Sequence, residues 1–76
     1  MIKHAELTER ERMIVRYVVQ GLKNGEISKI LNISVHTTKA HLGAVYEKLG
    51  VQNRVQCAIK AIEIGLVRIK DVSNYE

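Results

Sequence analysis

Apolar residues recur at intervals of three and four along most of the chain, which is the spacing of amphipathic helices. The apolar positions of the first such segment are Ile14, Val15, Val18 and Leu22. Thr8 and Glu11 precede it at the spacing of a capping box, in which each side chain accepts a hydrogen bond from the other residue's backbone amide. Gly21 is a suitable stop. The pattern therefore predicts a first helix that begins just after Thr8 and ends near Gly21.

A short second helix is predicted from about Asn24 to Leu31. Asn24 is a favourable N-cap residue, and the apolar side of the segment consists of Ile27, Ile30 and Leu31. A connection of only a few residues leads to Ser34, which caps the next helix. Two helices joined this closely, inside a small basic all-helical domain, are typical of a helix-turn-helix.

The third helix begins after Ser34 and runs to about Leu49, with Gly50 as its left-handed end. At about 100° per residue, one side of it is a core stripe made of Val35, Thr38, Leu42, Val45 and Leu49. The opposite arc carries His36, Thr37, Ala40, Gly43, Ala44 and Glu47. Lys39 and His41 stand at the two borders of that arc. The outward side is therefore poor in large side chains and flanked by basic ones.

These small outward residues have two explanations. The major groove of B-DNA admits a helix, and small residues would let the backbone approach closely while Thr37, Lys39 and His41 reach phosphates or base edges. Ser34 and Thr37 also lie near the positive end of the helix dipole, which favours a phosphate. Alternatively, small residues suit a close contact between helices or an ordinary exposed face. Gly43 costs a helix roughly 1 kcal/mol relative to alanine, and the residues alone leave both explanations open.

The fourth helix begins after Asn53 and runs to about Ile64, where Gly65 stops it. Its predicted core side consists of Val55, Ala58, Ile59, Ile62 and Leu66. A second apolar stripe, roughly opposite, consists of Cys57, Ala61 and Ile64. A surface helix of a monomer needs only one stripe, so we expect the second to form a weak homodimer contact across a two-fold axis. Scattered surface residues are the alternative. For residues 68–76 the pattern leaves a short extension and a frayed tail open.

Composition narrows the class of protein. The chain has 76 residues and a net charge of +4, which favours nucleic acid or another anionic partner. No apolar run is long enough to span a membrane, and the first residues lack the apolar core of a signal peptide. Cys57 is the only cysteine, which indicates a reducing compartment. We therefore expect one cytoplasmic domain over 1–76, with its core at 7–67, and no membrane partner.

Catalytic and metal-binding patterns are absent from the sequence. His36 and His41 lie about 140° apart around the third helix, so they cannot readily share a metal ion. Cys57 has no histidine near it in sequence and is interpreted as a structural or interface thiol, with a nucleophilic or redox-sensing role as the less favoured alternative. No nucleophile elbow, phosphate loop or zinc pattern occurs. The sequence therefore predicts a non-enzyme without cofactor or metal.

Five separated blocks carry a family resemblance. They are LTERE at 7–11, G-x-x-N-x-E-I at 21–27, L-x-I-S-x-x-T-x-K-x-H at 31–41, KLGVQNR at 48–54 and GLV at 65–67. Their order and spacing resemble the C-terminal DNA-binding domain of LuxR/FixJ/NarL-type bacterial transcription regulators, the GerE-like domain. The resemblance implies an all-α, four-helix (tetrahelical) helix-turn-helix domain. It also implies that the third helix binds in the major groove and that the fourth carries the dimer contact.

The resemblance also implies roles for single residues. Base-edge contacts would come from Lys39, Ala40 and Gly43. Contacts with the sugar–phosphate backbone would come from Asn24, Thr37 and His41. Lys29 and Lys48 are added to these as phosphate contacts on the ground of charge.

Three positions depart from the family pattern. Gly25 stands where lysine or threonine is usual, so one phosphate contact is missing. Thr38 replaces a usual core valine; its methyl group can still pack, and its hydroxyl can bond a carbonyl one turn earlier. Gly43 stands where some relatives carry a long basic side chain, which bears on base recognition and not on the fold.

The sequence thus predicts a bacterial, nucleoid-associated transcription regulator that binds double-stranded promoter or operator DNA as a homodimer. The alternative is a small interaction module that pairs with a larger regulator through its last helix, which the few base-contacting groups at Ala40 and Gly43 would suit. The promoter-binding domain of a sigma factor is a related alternative, but LTERE and KLGVQNR fit the first family better. The sequence is compatible with a contact to RNA polymerase or to a larger regulator. It is also compatible with either a stand-alone protein or the output domain of a two-domain regulator.

Overall fold

The computed structural model describes residues 6–68 and residue 70. These residues form four helices, α1 (Glu9–Val19), α2 (Asn24–Leu31), α3 (Val35–Leu49) and α4 (Arg54–Glu63). No strand occurs in this part of the chain, and the predicted all-α, four-helix class is confirmed. None of the helices described is long and apolar enough to cross a membrane. Of the predicted extension or tail at 68–76, all but residues 68 and 70 lies outside the described residues.

The start of α1 is the capping box that the sequence predicts. The Thr8 amide donates to Glu11 Oε1 at 2.8 Å, and the Glu11 amide donates to Thr8 Oγ1 at 3.1 Å. Lys48 of α3 donates to the same Oε1 at 2.8 Å. Burial of Glu11 opposes its negative charge, but the hydrogen bonds from Lys48 and Thr8 outweigh that effect and lower the pKa of Glu11. One buried carboxylate therefore caps α1 and also attaches it to α3.

The turn between α2 and α3 runs from Asn32 to Ser34. Asn32 ends α2 in the left-handed conformation, with φ of 57°, which asparagine adopts more readily than most residues. Ser34 then caps α3 by accepting a hydrogen bond from the Thr37 amide at 3.0 Å. At the other end of α2 the prediction is wrong, because Lys23 is the N-cap residue and Asn24 is the first residue of the helix.

The core surrounds α3, which packs against all three other helices, while α1 also packs against α4. One buried cluster consists of Val15, Val45, Leu49, Cys57, Ala61 and Val67. The second consists of Ile14, Val18, Ile27 and Leu42. Two predicted core positions are wrong, since Ile30 and Val35 are exposed. Val35 is exposed because it is the first residue of α3. Ile30 is exposed because α2 packs mainly against α3, which covers only one side of α2.

Thr38 is buried within the core stripe as predicted, but its hydroxyl has another partner. Thr38 Oγ1 lies 2.7 Å from Ser28 Oγ on α2. Ser28 Oγ in turn donates to the Asn24 carbonyl at 2.8 Å. The Thr38 hydroxyl therefore makes a buried bond between two helices, and not the bond to a carbonyl one turn earlier in α3 that it could make on sequence grounds.

The prediction of which side of α4 faces the core is wrong. Cys57 and Ala61 are 0% exposed, whereas Val55 is 68% and Ile59 is 60% exposed. The small side chains thus lie on the packed side of α4, and the bulkier residues face outward. Cys57 and Ala61 therefore cannot form the predicted dimer contact, and Ile64, at 44% exposed, is the one of the three that lies on the surface. A second apolar stripe does exist, but Val55 and Ile59 form it, with half-buried Ala58 and Ile62 beside them.

Candidate nucleic-acid interface

The side of α3 opposite the core stripe is an open surface. Its exposed residues are His36, Lys39, Ala40, Gly43 and Glu47, and its half-buried residues are Thr37, His41 and Ala44. The predicted outward arc is therefore confirmed. Apart from Glu47 in the last turn, it combines short side chains with groups that carry, or on protonation can carry, positive charge.

Gly43 lies in the middle of this surface, and no contact among the described residues requires it. A Cβ placed on Gly43 would meet no atom within 4 Å. Packing against another helix of the described chain is therefore excluded as the reason for this glycine. A glycine at this position costs the helix roughly 1 kcal/mol relative to alanine. Close approach of an outside surface is a physical explanation for a glycine there despite that cost.

The first turn of α3 presents hydroxyl groups beside the exposed amides of the helix start. Ser34 Oγ accepts from the Thr37 amide and donates to Thr37 Oγ1 at 2.9 Å. Ser34 is thus engaged in capping and holds the Thr37 side chain in place. Because Thr37 Oγ1 accepts this bond, its own hydrogen can be donated to an acceptor outside the chain. The positive end of the helix dipole at this position favours an anionic acceptor such as a phosphate.

The first turn of α2 carries Asn24, which is half-buried. Asn24 Oδ1 accepts a hydrogen bond from Arg54 Nη1 at 2.8 Å, and Arg54 Nη2 donates to the Leu22 carbonyl. Arg54 is half-buried, and it was not among the residues selected from the sequence. The signal that could have found it is its position as the last residue of the KLGVQNR block.

The two lysines added on the ground of charge have different surroundings. Lys29 is exposed on α2. Lys48 instead forms an ion pair with Glu11, and its side chain is only 28% exposed. Removing Lys48 from that pair would leave a buried carboxylate without its partner, which is costly. The structure therefore gives Lys48 a role inside the fold, and its phosphate contact stays a prediction.

The surroundings of Cys57 do not favour a reactive thiol. Burial raises the pKa of Cys57, and the charge of Arg54 opposes this only in part. A protonated thiol enclosed in the core is a poor nucleophile. No three metal-ligating side chains come together in the described residues.

A short helix, a three-residue turn and a longer helix with an open, cation-flanked outer side define a helix-turn-helix DNA-binding domain. The comparison with protein families places it more narrowly. The family model described as bacterial regulatory proteins, luxR family, matches residues 5–61. The chain belongs to this family of transcription regulators, and the predicted family is confirmed.

Individual relatives agree with that placement. Transcriptional activator protein SolR of Ralstonia nicotianae is 43% identical over 63 residues, which are 83% of this chain and 27% of SolR. Response regulator protein VraR of Staphylococcus aureus is 38% identical over an alignment of 72 residues, and the match covers 90% of this chain and 34% of VraR. The chain therefore spans about a third or less of the length of these curated relatives.

Two solved structures share the fold. The response regulator ChrA of a heme-sensing two-component system has a TM-score of 0.80 and 36% identity, over 87% of this chain and 33% of that one. The structure of the phage VqmA–DPO complex has a TM-score of 0.77 and 21% identity, over 93% of this chain and 33% of that one. At that identity the second likeness concerns the fold alone.

Proposed function

We propose that the chain binds double-stranded operator DNA sequence-specifically and thereby regulates transcription, with α3 lying in the major groove. The observation that carries this proposal is the open arc of α3, whose central Gly43 serves no contact with the other residues that the structure describes. Glu47 lies roughly 16 Å along the helix from His36, at 1.5 Å per residue. Its negative charge is unsuited to a groove, so the N-terminal part of α3 is the part that enters, as in other helix-turn-helix domains.

The roles of the α3 residues follow from their chemistry. Lys39 is exposed and can donate to the acceptors of a guanine edge, while Ala40 can contact a thymine methyl group. Gly43 lets the backbone come close to the base pairs. Thr37 and His41 flank these positions and donate to phosphates, which fixes the helix in the groove without carrying sequence information.

Further phosphate contacts come from the start of each helix and from α2. Asn24 presents its side-chain amide at the first turn of α2, and Ser34 holds Thr37 at the first turn of α3. Lys29 adds a positive charge on the exposed side of α2. Such contacts neutralise phosphates and release counterions, so binding should weaken steeply with salt.

Dimer formation through α4 is the second part of the proposal. Val55 and Ile59 form an exposed apolar stripe of a kind that a monomer has no need to expose. A two-fold contact between two copies of this stripe would place two α3 helices on successive half-sites of one DNA face. The stripe is small beside a standard interface, so we propose a weak dimer that DNA binding stabilises.

The relatives suggest the setting in which the domain works. They include a transcriptional activator and response regulators. We propose that this chain has no catalytic activity of its own and provides the DNA-binding part of regulation in the bacterial cytoplasm, at the nucleoid. Contacts with RNA polymerase or with a larger regulator would then supply the regulatory outcome.

Selection of bound fragments from genomic DNA, followed by anisotropy titration of the enriched site at two salt concentrations, tests the proposal. We expect one enriched motif with two-fold symmetry and a steep loss of affinity with salt. Lys39→Ala should weaken binding to that motif by about 1–3 kcal/mol, whereas an exposed lysine elsewhere, such as Lys70, should matter little. Failure to bind any duplex at low salt would refute the proposal, and a tight protein complex in its place would favour the interaction-module alternative.

A further inference from the structure

Arg54, the first residue of α4, lies where three helices meet. Its Nη1 donates to Asn24 Oδ1 at 2.8 Å, and its Nη2 donates to the Leu22 carbonyl ahead of α2. Burial raises the pKa of Tyr46 on α3 and of Cys57 on α4, and in both cases the charge of Arg54 opposes the rise. The guanidinium thus connects α4 to the start of α2 beside the core face of α3.

The bond from Arg54 fixes which way the Asn24 amide points. Arginine only donates hydrogen bonds, so the Asn24 oxygen must face it and the amino group must face the other way. Within the described residues, Asn24 Nδ2 donates to no acceptor. It therefore has two N–H groups to offer at the first turn of α2, where the helix dipole favours an anion.

The charge of Arg54 also improves Asn24 as a donor. A hydrogen bond from a cation to the amide oxygen draws electron density from the amide, and chains of hydrogen bonds strengthen one another in this way. Lysine could not replace Arg54, because a single ammonium group does not present two parallel donors in a fixed planar arrangement.

We propose that Arg54 is a positioning residue for DNA binding. It holds Asn24 with its amino group towards a phosphate of the duplex, and it thereby couples the helix proposed for dimer formation to a DNA contact on α2. The proposal rests on the proposed function and adds a residue to which the family resemblance assigned no role.

A double-mutant cycle on DNA affinity tests this positioning role. The variants are Arg54→Lys, Asn24→Ala and the pair together, with Arg16→Lys, at an exposed position of α1, as the matched control. The probe is a labelled duplex of about 20 base pairs and arbitrary sequence, because a phosphate contact does not depend on sequence. We expect Arg54→Lys to weaken binding roughly three- to tenfold, the worth of one ordinary hydrogen bond. In the Asn24→Ala background it should have no further effect.

Two readouts separate positioning from other roles. Titration with the duplex should shift the Asn24 side-chain amide resonances of the unsubstituted protein and leave them nearly unmoved in Arg54→Lys. Affinities are compared at a temperature where circular dichroism shows every variant folded, so that loss of fold does not count as loss of binding.

Three results would overturn the inference. An equal effect of Arg54→Lys in both backgrounds would mean that Arg54 does not act through Asn24. A decrease of about 0.9 in the slope of log affinity against log salt for Arg54→Gln would mean that Arg54 itself neutralises a phosphate. Full affinity of folded Arg54→Lys would mean that the residue is structural only. If the unsubstituted protein binds no duplex at low salt, the proposed function fails first, and the inference fails with it.

Discussion

Replacing Ser28 alone with alanine should destabilise the domain more than replacing Ser28 and Thr38 together. The two hydroxyls are buried, at 5% and 0% exposed, and their oxygens are 2.7 Å apart. Ser28 uses its only hydroxyl hydrogen on the Asn24 carbonyl, so Thr38 is the donor in the pair. Ser28→Ala therefore leaves a buried donor without an acceptor, whereas Thr38→Val removes that donor and leaves the bond to Asn24 intact.

The magnitudes follow from this asymmetry. A buried polar group left without a partner costs about 1–3 kcal/mol, and an ordinary hydrogen bond contributes about 0.5–1.5 kcal/mol. We assign the first range to Ser28→Ala and the second to Thr38→Val. The double variant removes both groups and should cost less than Ser28→Ala, because replacing both partners with apolar groups is often nearly neutral. The coupling energy should thus be at least as large as the cost of Thr38→Val, about 0.5 kcal/mol or more.

Urea unfolding followed by circular dichroism measures the unfolding free energy of the unsubstituted protein, the two single variants and the double variant. Thermal unfolding gives a second measure, since about 1 kcal/mol corresponds to a shift of about 4–8 °C in a domain of this size. Alanine's own helix preference cancels, because the same exchange occurs in both backgrounds. Costs that simply add in the double variant would refute the assignment of Thr38 as a donor that depends on Ser28.

Three further predictions concern other parts of the chain. The fold lowers the pKa of Glu11 from 4.5, so the stabilising effect of this carboxylate is complete above pH 4.5 and is lost as the pH falls through the lower folded pKa. The difference in unfolding free energy between the unsubstituted protein and Glu11→Gln should therefore shrink below about pH 5, and a constant difference would contradict this. Gly43→Ala should raise the unfolding free energy by up to about 1 kcal/mol while weakening operator binding, and unchanged binding would count against close approach of DNA. Ile59→Glu should leave the fold intact and weaken self-association in sedimentation, with the similar exchange at exposed Met13 as control; unchanged sedimentation would argue against the α4 stripe.

The helix ends were predictable because capping is local. The bonds that start α1 and α3 join residues three apart, Thr8 with Glu11 and Ser34 with Thr37. Such pairs are visible in the sequence without knowledge of the fold. The same locality explains the left-handed Gly50. The exception is Asn24, whose amide accepts a bond from a residue thirty positions away and not from its own helix.

The sides of α4 were not predictable in the same way. The larger apolar side chains of isoleucine and valine indicate a core position more strongly than alanine or cysteine does. The apolar pattern therefore predicts that Val55 and Ile59 face the core. The deciding fact is which side of α4 meets α1 and α3, and the small side chains of Cys57 and Ala61 lie on that side. Which side it is depends on where α1 and α3 lie, and no local pattern contains that information. The outward side of α3 was easier, because it is the complement of a core stripe in which Thr38, Leu42 and Val45 are buried.

The position of α2 depends on polar contacts more than on apolar burial. Its fully buried apolar side chain is Ile27, and Ile30 faces solvent. Apolar packing is not directional, and so little of it would leave the angle between α2 and α3 poorly defined. The hydrogen bonds from Thr38 to Ser28, from Ser28 to Asn24 and from Arg54 to Asn24 are directional. Together they attach α2 to α3 and to the first residue of α4, so a perturbation at either of those helices should reach the phosphate contact proposed for α2.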